Sequence, residues 1–176
     1  ERKQLIDLGL DNLKYCNGNI GNSIITESFY KIAFSRFDLL GMKIKKFSSL
    51  NESIDKKEEL KNQSILLNLQ DCIKKEPYLS EKEFIDLSEI ISNAKNILIY
   101  SLGTNLIGKA DLDTKEFYDS LPIFIRNFIN VIVNHESCLV LTRDEFTKKV
   151  IEAANAFFKI DSVINTGCPS VLAINT

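Results

Sequence analysis

The residues best suited to chemistry in this chain lie in a short polar loop that follows an apolar run. Residues 97–100 are apolar or aromatic without alternation, and a run this short indicates a strand buried on both faces of a parallel sheet. The loop after it contains Ser101, Gly103, Thr104 and Asn105. A strand that runs through such a loop into a helix directs backbone N–H groups and the positive end of the helix dipole towards a ligand. The loop therefore predicts a phosphate site, with a junction that binds nothing as the open alternative.

Further hydroxyls follow later apolar runs in the same way. Thr142 follows the run 138–141, Thr147 lies in the helix start after it, and Thr166 ends the segment 163–166. Because the carboxyl ends of parallel strands share one edge of a sheet, these side chains are expected to meet the first loop in one crevice.

In this order and spacing, residues 93–173 resemble a SIS (sugar isomerase) domain, the phosphosugar-binding module of sugar-phosphate isomerases and of RpiR-type bacterial regulators. The family's G-x-G-x-S-like loop corresponds to residues 101–105, its S-x-S-G-x-T loop to 142–147 and its I-x-T strand end to 163–166. The resemblance implies a three-layer α/β fold with a parallel sheet and a bound sugar phosphate. The implied ligand-binding residues are Ser101, Gly103, Thr104, Asn105, Thr142, Thr147 and Thr166.

One loop departs from the family's pattern. Asp144 and Glu145 stand where the family has serine and glycine, and each carboxylate would repel a nearby anion by roughly 1 kcal/mol in a partly screened setting. Arg143 offsets part of this repulsion. We expect a degraded phosphate cradle, whose ligand is weakly bound, differently charged or absent.

Few residues in the chain could carry catalysis or bind a metal. The candidates for moving a proton are Asp144, Glu145, Glu136 and the single histidine, His135, and none matches a catalytic position of the family. The motifs G-x-S-x-G, P-loop and H-E-x-x-H are absent from the sequence. The four cysteines, Cys16, Cys72, Cys138 and Cys168, form no C-x-x-C pair and are expected to be free buried thiols. No catalytic residue, metal or cofactor is therefore predicted, and an enzyme is the less favoured class.

The first 50 residues contain the local excess of positive charge, with eight Lys and Arg against five Asp and Glu. A helical pattern over 26–40, Gly41 and a short basic helix after it are compatible with a helix-turn-helix. Residues 35–47 resemble the end of the DNA-binding domain of RpiR-type regulators. The implied DNA-contacting residues are Arg36, Lys43, Lys45 and Lys46. A solvated helix face that binds nothing stays open as the alternative.

The remaining pattern divides the chain into a helical region at 1–50, a linker and helix at 51–79, and a SIS-like domain at 80–176. An amphipathic helix ending before Pro77 is predicted from the spacing of Leu60, Ile65, Leu66, Leu69 and Ile73. Ser80 with Glu83 forms a capping box that starts the next helix. Strands are predicted near 97–100, 122–125, 138–141 and 162–165, with an amphipathic helix after the third.

Composition sets the broad class of the protein. With 176 residues, 44% hydrophobic and 26% charged, and a net charge of −2, the chain reads as globular. Without an apolar run long enough to cross a bilayer or an apolar signal-peptide core, we expect a cytoplasmic protein with no membrane partner. The leading hypothesis is a sugar-phosphate-sensing module of an RpiR-like regulator, with DNA as a partner and a homo-oligomeric state. The alternatives are a sugar-phosphate isomerase-like enzyme and a SIS-like dimerisation domain with a degraded ligand site.

Overall fold

The computed structural model describes residues 50–104, 112–154 and 162–167, which all belong to one compact unit, Lys45–Gly167. The elements follow one another in chain order. They are α1 (Leu50–Asp55), a 3-10 helix (Lys57–Leu60), β1 (Ser64–Asn68), α2 (Glu81–Asn93), β2 (Asn96–Leu102), α3 (Thr114–Asp119), α4 (Ile123–Asn134), β3 (Cys138–Thr142), α5 (Glu145–Glu152) and β4 (Val163–Asn165).

The four strands form one sheet in the order β1-β2-β3-β4, and every pairing is parallel. All four strands therefore end at one edge of the sheet, the carboxyl edge, and begin at the other, the amino edge. Between β2 and β3 the register shifts between Ile99 and Leu102. The α/β class with a parallel sheet and flanking helices is confirmed, and it is consistent with a three-layer arrangement.

Alternate residues of the strands pack with the helices in one hydrophobic core. Ile99 and Val140 are register partners and both are buried, whereas their chain neighbours Leu98 and Leu139 on the opposite face are half-buried. The Phe84 ring of α2 packs edge-on against Phe128 of α4, with ring centroids 5.2 Å apart. Burial of these aromatic and branched side chains supplies the main favourable term in the stability of the unit.

Helix α2 begins as the sequence predicts. Ser80 Oγ accepts a hydrogen bond from the Glu83 N–H at 3.3 Å, and Glu83 Oε2 accepts one from the Ser80 N–H at 2.7 Å. The hydrogen bond from the Ser80 backbone lowers the pKa of the Glu83 carboxyl. The capping box is confirmed, and so is the predicted inward stripe of Phe84, Leu87, Ile90 and Ile91.

The strands predicted near 97–100, 138–141 and 162–165 are confirmed as β2, β3 and β4. The helix predicted after the third strand is confirmed as α5, which buries Val150 and Ile151. Two other predictions are wrong. The segment predicted as a helix from Leu60 onwards contains β1, because the apolar residues 65–67 add a strand to the exposed edge of β2.

The strand predicted near 122–125 is also wrong, because Ile123 begins helix α4. Its apolar run continues with Phe128, Ile129 and Ile132, which with Ile125 form one buried helical face. Pro122 occupies the N-cap position, where its missing N–H removes no helix hydrogen bond.

None of the helices in the described ranges combines the length and the apolar character that a bilayer crossing requires. Of the predicted helical region at 1–50, all residues before Leu50 lie outside the described residues, and the domain boundaries stay a prediction.

Candidate functional site at the carboxyl edge

The carboxyl edge brings together four of the threonines that the sequence singled out. Thr104, Thr142 and Thr147 are buried there. Thr147 Oγ1 accepts a hydrogen bond from the Thr104 N–H at 3.1 Å, and the Thr166 N–H donates to the Thr142 carbonyl at 3.1 Å. Adjacent strand ends are thereby joined in pairs. Whether these residues bind a ligand stays a prediction, and Asn105 lies outside the described residues.

The start of helix α5 already has an anionic partner from the protein itself. Asp144 is its N-cap residue, and Asp144 Oδ1 accepts a hydrogen bond from the Thr147 N–H at 2.7 Å. Asp144 Oδ2 accepts a second one from the Thr147 hydroxyl at 2.8 Å. Because a carboxylate at a helix N-terminus interacts favourably with the helix dipole, Asp144 stabilises α5. The same carboxylate occupies donors that the predicted phosphate cradle would offer to its ligand.

An ion pair spans the same edge. Arg143, which follows β3, donates from Nη1 to Asp71 Oδ1 at 2.6 Å, and Asp71 lies in the loop after β1. The side chains of Arg143 and Asp71 are 23% and 16% exposed, so water reaches both of them. The pair therefore bridges the two strands on either side of β2, and its partial burial makes the interaction stronger than that of an ion pair on an open surface.

Gly103 lies directly against this ion pair. A Cβ atom at Gly103 would lie 3.0 Å from Asp71 Oδ1 and 3.3 Å from Arg143 Cδ. The Gly103 carbonyl also accepts a hydrogen bond from the Ile73 N–H at 3.2 Å, which fixes the β1 loop against the β2 loop. Any larger residue at this position would push on the two charged side chains, which pack directly on the glycine backbone.

Two non-glycine residues at this edge have left-handed backbone conformations. Ser101 has φ of 61° and Asp71 has φ of 45°. Ser101 is 1% exposed, and within the described residues its Oγ has no hydrogen-bond partner. A left-handed residue with a side chain and a buried unpaired hydroxyl each cost free energy, of the order of 1–2 kcal/mol. This edge of the sheet is therefore built at the expense of stability.

The only histidine of the chain lies at the other edge. His135 Nδ1 accepts a hydrogen bond from the Ser137 N–H at 3.1 Å, and Nε2 lies 3.2 Å from the Ala94 carbonyl oxygen. Since Nδ1 is an acceptor, the proton is assigned to Nε2, which donates to Ala94. These partners precede β3 and β2, so His135 cannot act as a base for Ser101 across the length of the sheet.

The other candidate groups are placed as follows. Glu136 lies with His135 along an open groove of about 550 Å³ at the amino edge. Glu145 lies at the start of α5, and its Oε2 accepts from Asn165 Nδ2 at 3.4 Å. The predicted DNA-contacting residues, Arg36, Lys43, Lys45 and Lys46, lie outside the described residues.

Two of the four cysteines fall in the described part of the chain. Cys72 and Cys138 are free and buried, and burial raises the pKa of each thiol to about 12. Within the described ranges, no group of three or more His, Cys, Asp or Glu side chains is arranged to hold a metal ion.

Sequence reasoning missed Asp71, the partner of Arg143. The sequence pattern predicts a helix for the segment that contains Asp71, whereas in the structure Asp71 follows strand β1. An aspartate shortly after the apolar residues 65–67 was the signal that could have indicated a strand-end residue.

No protein-family model matches the sequence, and neither the curated proteins nor the solved structures include a significant match to the chain.

Proposed function

We propose that this chain is a non-enzymatic SIS-type module of an RpiR-like transcriptional regulator, and that it senses a sugar phosphate or a related anionic metabolite. The observation that carries the proposal is the convergence at the carboxyl edge. There the Gly103 loop, the buried threonines and the Arg143 guanidinium meet at the ends of parallel strands. Open parallel sheets bind their ligands at this edge, and a guanidinium is suited to recognise phosphate.

The local charge balance indicates weak binding. Three carboxylates belong to the loops at this edge: Asp71 follows β1, and Asp144 and Glu145 follow Arg143 directly in the sequence. Asp71 is paired with Arg143, and Asp144 is bonded to the start of α5. An anionic ligand must therefore compete with carboxylates of the protein, which agrees with the expectation of a degraded cradle.

The positions of the acid–base candidates favour a sensor over an isomerase-like enzyme. A base that moves a proton between adjacent carbons must stand over the bound sugar. His135 and Glu136 lie at the amino edge, and Asp144 is engaged by Thr147. Glu145 is the one candidate carboxylate near the threonines that is not used as a helix cap, so the enzymatic alternative depends on that residue.

Calorimetric titration with a panel of hexose and pentose phosphates tests the proposal. We expect weak binding by the wild type, and about tenfold tighter binding by the double variant Asp144→Ser with Glu145→Gly, because two repelling charges are removed. Serine retains a good N-cap, so α5 should persist. The matched control is Glu58→Ser with Glu59→Gly, which removes the same charge in the 3-10 helix Lys57–Leu60. If the wild type binds as tightly as the double variant, then this loop is not the phosphate cradle.

The DNA-binding part of the proposal has its own test. Replacing Lys43, Lys45 and Lys46 by alanine should flatten the salt dependence of duplex binding by about 0.9 per lost phosphate contact. A gel-shift series at low salt that shows no lysine-dependent binding to any duplex would remove the support for a regulator.

A second candidate function, dimerisation, is favoured by one surface. Ile85 of α2 and Ile123 of α4 are each 58% exposed and line the same shallow groove of about 170 Å³. Large apolar side chains at an open groove are typical of protein contacts. Sedimentation of the wild type and of Ile123→Lys tests this role, and Ile164→Lys, at a position 45% exposed on β4, is the control. A monomer at every concentration in the wild type would exclude it.

A further inference from the structure

We propose that Asp71 acts as an internal counter-ion that holds Arg143 in the unliganded protein, and that an incoming phosphate group replaces it. This inference rests on the proposed function, because it assigns a regulatory contact to the same edge of the sheet. The exchange breaks one ion pair and forms another on the same guanidinium. Guanidinium binds carboxylate and phosphate oxygens with the same planar set of donors, so either anion can occupy it.

The exposure of the pair makes such an exchange feasible. Arg143 is 23% and Asp71 16% exposed, so an anion from solution can approach the guanidinium without unfolding of the sheet. The two residues come from loops that are 72 positions apart in the sequence, and only tertiary structure brings them together.

The packing on Gly103 defines where the ligand's oxygens would lie. Asp71 Oδ1 occupies space so close to Gly103 that a Cβ there would lie 3.0 Å away. If the Asp71 carboxylate moves away, this space is left beside the loop backbone and beside the guanidinium. A phosphate oxygen can then take the position of the carboxylate oxygen against the glycine, as expected where a backbone approaches a phosphate closely.

The backbone around Asp71 favours movement of its side chain over movement of the whole loop. Asp71 has φ of 45°, a conformation that a residue with a side chain adopts at a cost. The next residues, Cys72 and Ile73, are fully buried, and the Ile73 N–H is bonded to the Gly103 carbonyl. The loop is thus anchored just after Asp71, so the ion pair can be released by rotation of the side chain while the loop stays in place.

The test measures binding of inorganic phosphate and of ribose 5-phosphate to the full chain by NMR titration at constant ionic strength. We expect Asp71→Asn to bind inorganic phosphate about tenfold more tightly than the wild type, because the competing carboxylate is lost. Arg143→Gln should abolish this binding in both backgrounds. Asp119→Asn, which breaks the exposed Lys115–Asp119 pair of 2.9 Å on α3, is the matched control and should leave binding unchanged.

Asp71→Gly provides a second variant, because glycine accepts a positive φ and also lacks the carboxylate. If neither Asp71 variant tightens phosphate binding, or if Arg143→Gln retains it, the counter-ion role is wrong. Tight ribose 5-phosphate binding by the wild type that does not respond to Asp71→Asn would overturn this inference and leave the proposed function standing. Arg143-dependent phosphate binding that is tightened by Asp71→Asn but shows no preference for any sugar phosphate would support the counter-ion role and contradict the proposed sugar-phosphate sensing. No binding by any variant would overturn both.

Discussion

At the two edges of the sheet, neighbouring segments are joined by different kinds of interaction. At the amino edge, His135 joins the segments before β2 and β3 through two backbone groups, with neutral hydrogen bonds and an ordinary φ of −73°. Asn62, just before β1, is the one left-handed non-glycine residue described at this edge, with φ of 58°, and asparagine adopts that conformation more readily than most residues. At the carboxyl edge, the loops are joined by a charged pair and by the Thr147 hydroxyl, and Ser101 and Asp71 are in left-handed conformations. Strain and buried polar groups concentrate where a protein requires a special arrangement. The comparison is therefore a reason to place the proposed ligand site at the carboxyl edge.

The largest effect on stability is expected when the Thr147 hydroxyl is removed. Thr147→Val keeps the shape of the side chain but leaves the buried Thr104 N–H without its acceptor and Asp144 without one donor. We expect a loss of about 2–3 kcal/mol in the free energy of unfolding, measured by urea denaturation. Thr166→Val is the control, because its hydroxyl bond of 3.4 Å is long and half-buried. Equal losses in the two variants would contradict a special role for Thr147.

A second test concerns Gly103. Gly103→Ala places a methyl group 3.0 Å from Asp71 Oδ1, and we expect a loss of about 1–2 kcal/mol as the ion pair shifts. In an Asp71→Gly background that clash disappears, so most of the loss should vanish in a double-mutant cycle. Gly167→Ala is the control: its φ is 76° and its added Cβ would meet nothing within 4 Å, so its cost should not depend on Asp71.

At the amino edge we expect a smaller effect. His135→Ala removes two hydrogen bonds from partly or fully exposed backbone groups, which water can then satisfy, so the loss should be about 0.5–1 kcal/mol. Asn134→Ala, which removes an exposed bond within α4, is the control for this edge. A loss at His135 as large as that of Thr147→Val would remove the contrast between the edges.

The smallest expected effect is a local change in the rate of thiol labelling, which can be compared at the two edges. Cys72 follows Asp71 and Cys138 begins β3, and burial raises the pKa of each to about 12. Little thiolate exists near neutral pH, so labelling requires local opening. With Cys16→Ser and Cys168→Ser as the background, Arg143→Gln should accelerate labelling of Cys72 several-fold and leave Cys138 unchanged. Acceleration at both sites would indicate global destabilisation instead.

Local signals made much of the fold predictable. The Ser80–Glu83 capping box and the unalternated runs of β2 and β3 depend on neighbours in the sequence, and all three are confirmed. The errors came from short apolar runs, whose helical or strand state periodicity cannot decide. The run at 65–67 becomes a strand because β2 offers a pairing edge, and the run after Pro122 becomes a helix because its apolar face continues to Ile132.

The candidate site was predictable to a smaller extent. Parallel strands must end together, so the meeting of Thr104, Thr142, Thr147 and Thr166 followed from the predicted topology. The contact between Asp71 and Arg143 did not, because it joins residues 72 positions apart and depends on the true position of β1.

The sequential strand order also has a consequence for how the chain acquires its structure. Each strand pairs with the strand before it in the chain, over separations of tens of residues, as in the register pairs Ser64↔Asn96, Ile97↔Cys138 and Val140↔Val163. Among the four described strands, none must wait for a later one to be inserted between itself and its neighbour. The sheet can therefore grow one unit at a time in the direction of synthesis, with β1, α2 and β2 forming the first unit. Helix α2, with its complete capping box, is well placed to start that process.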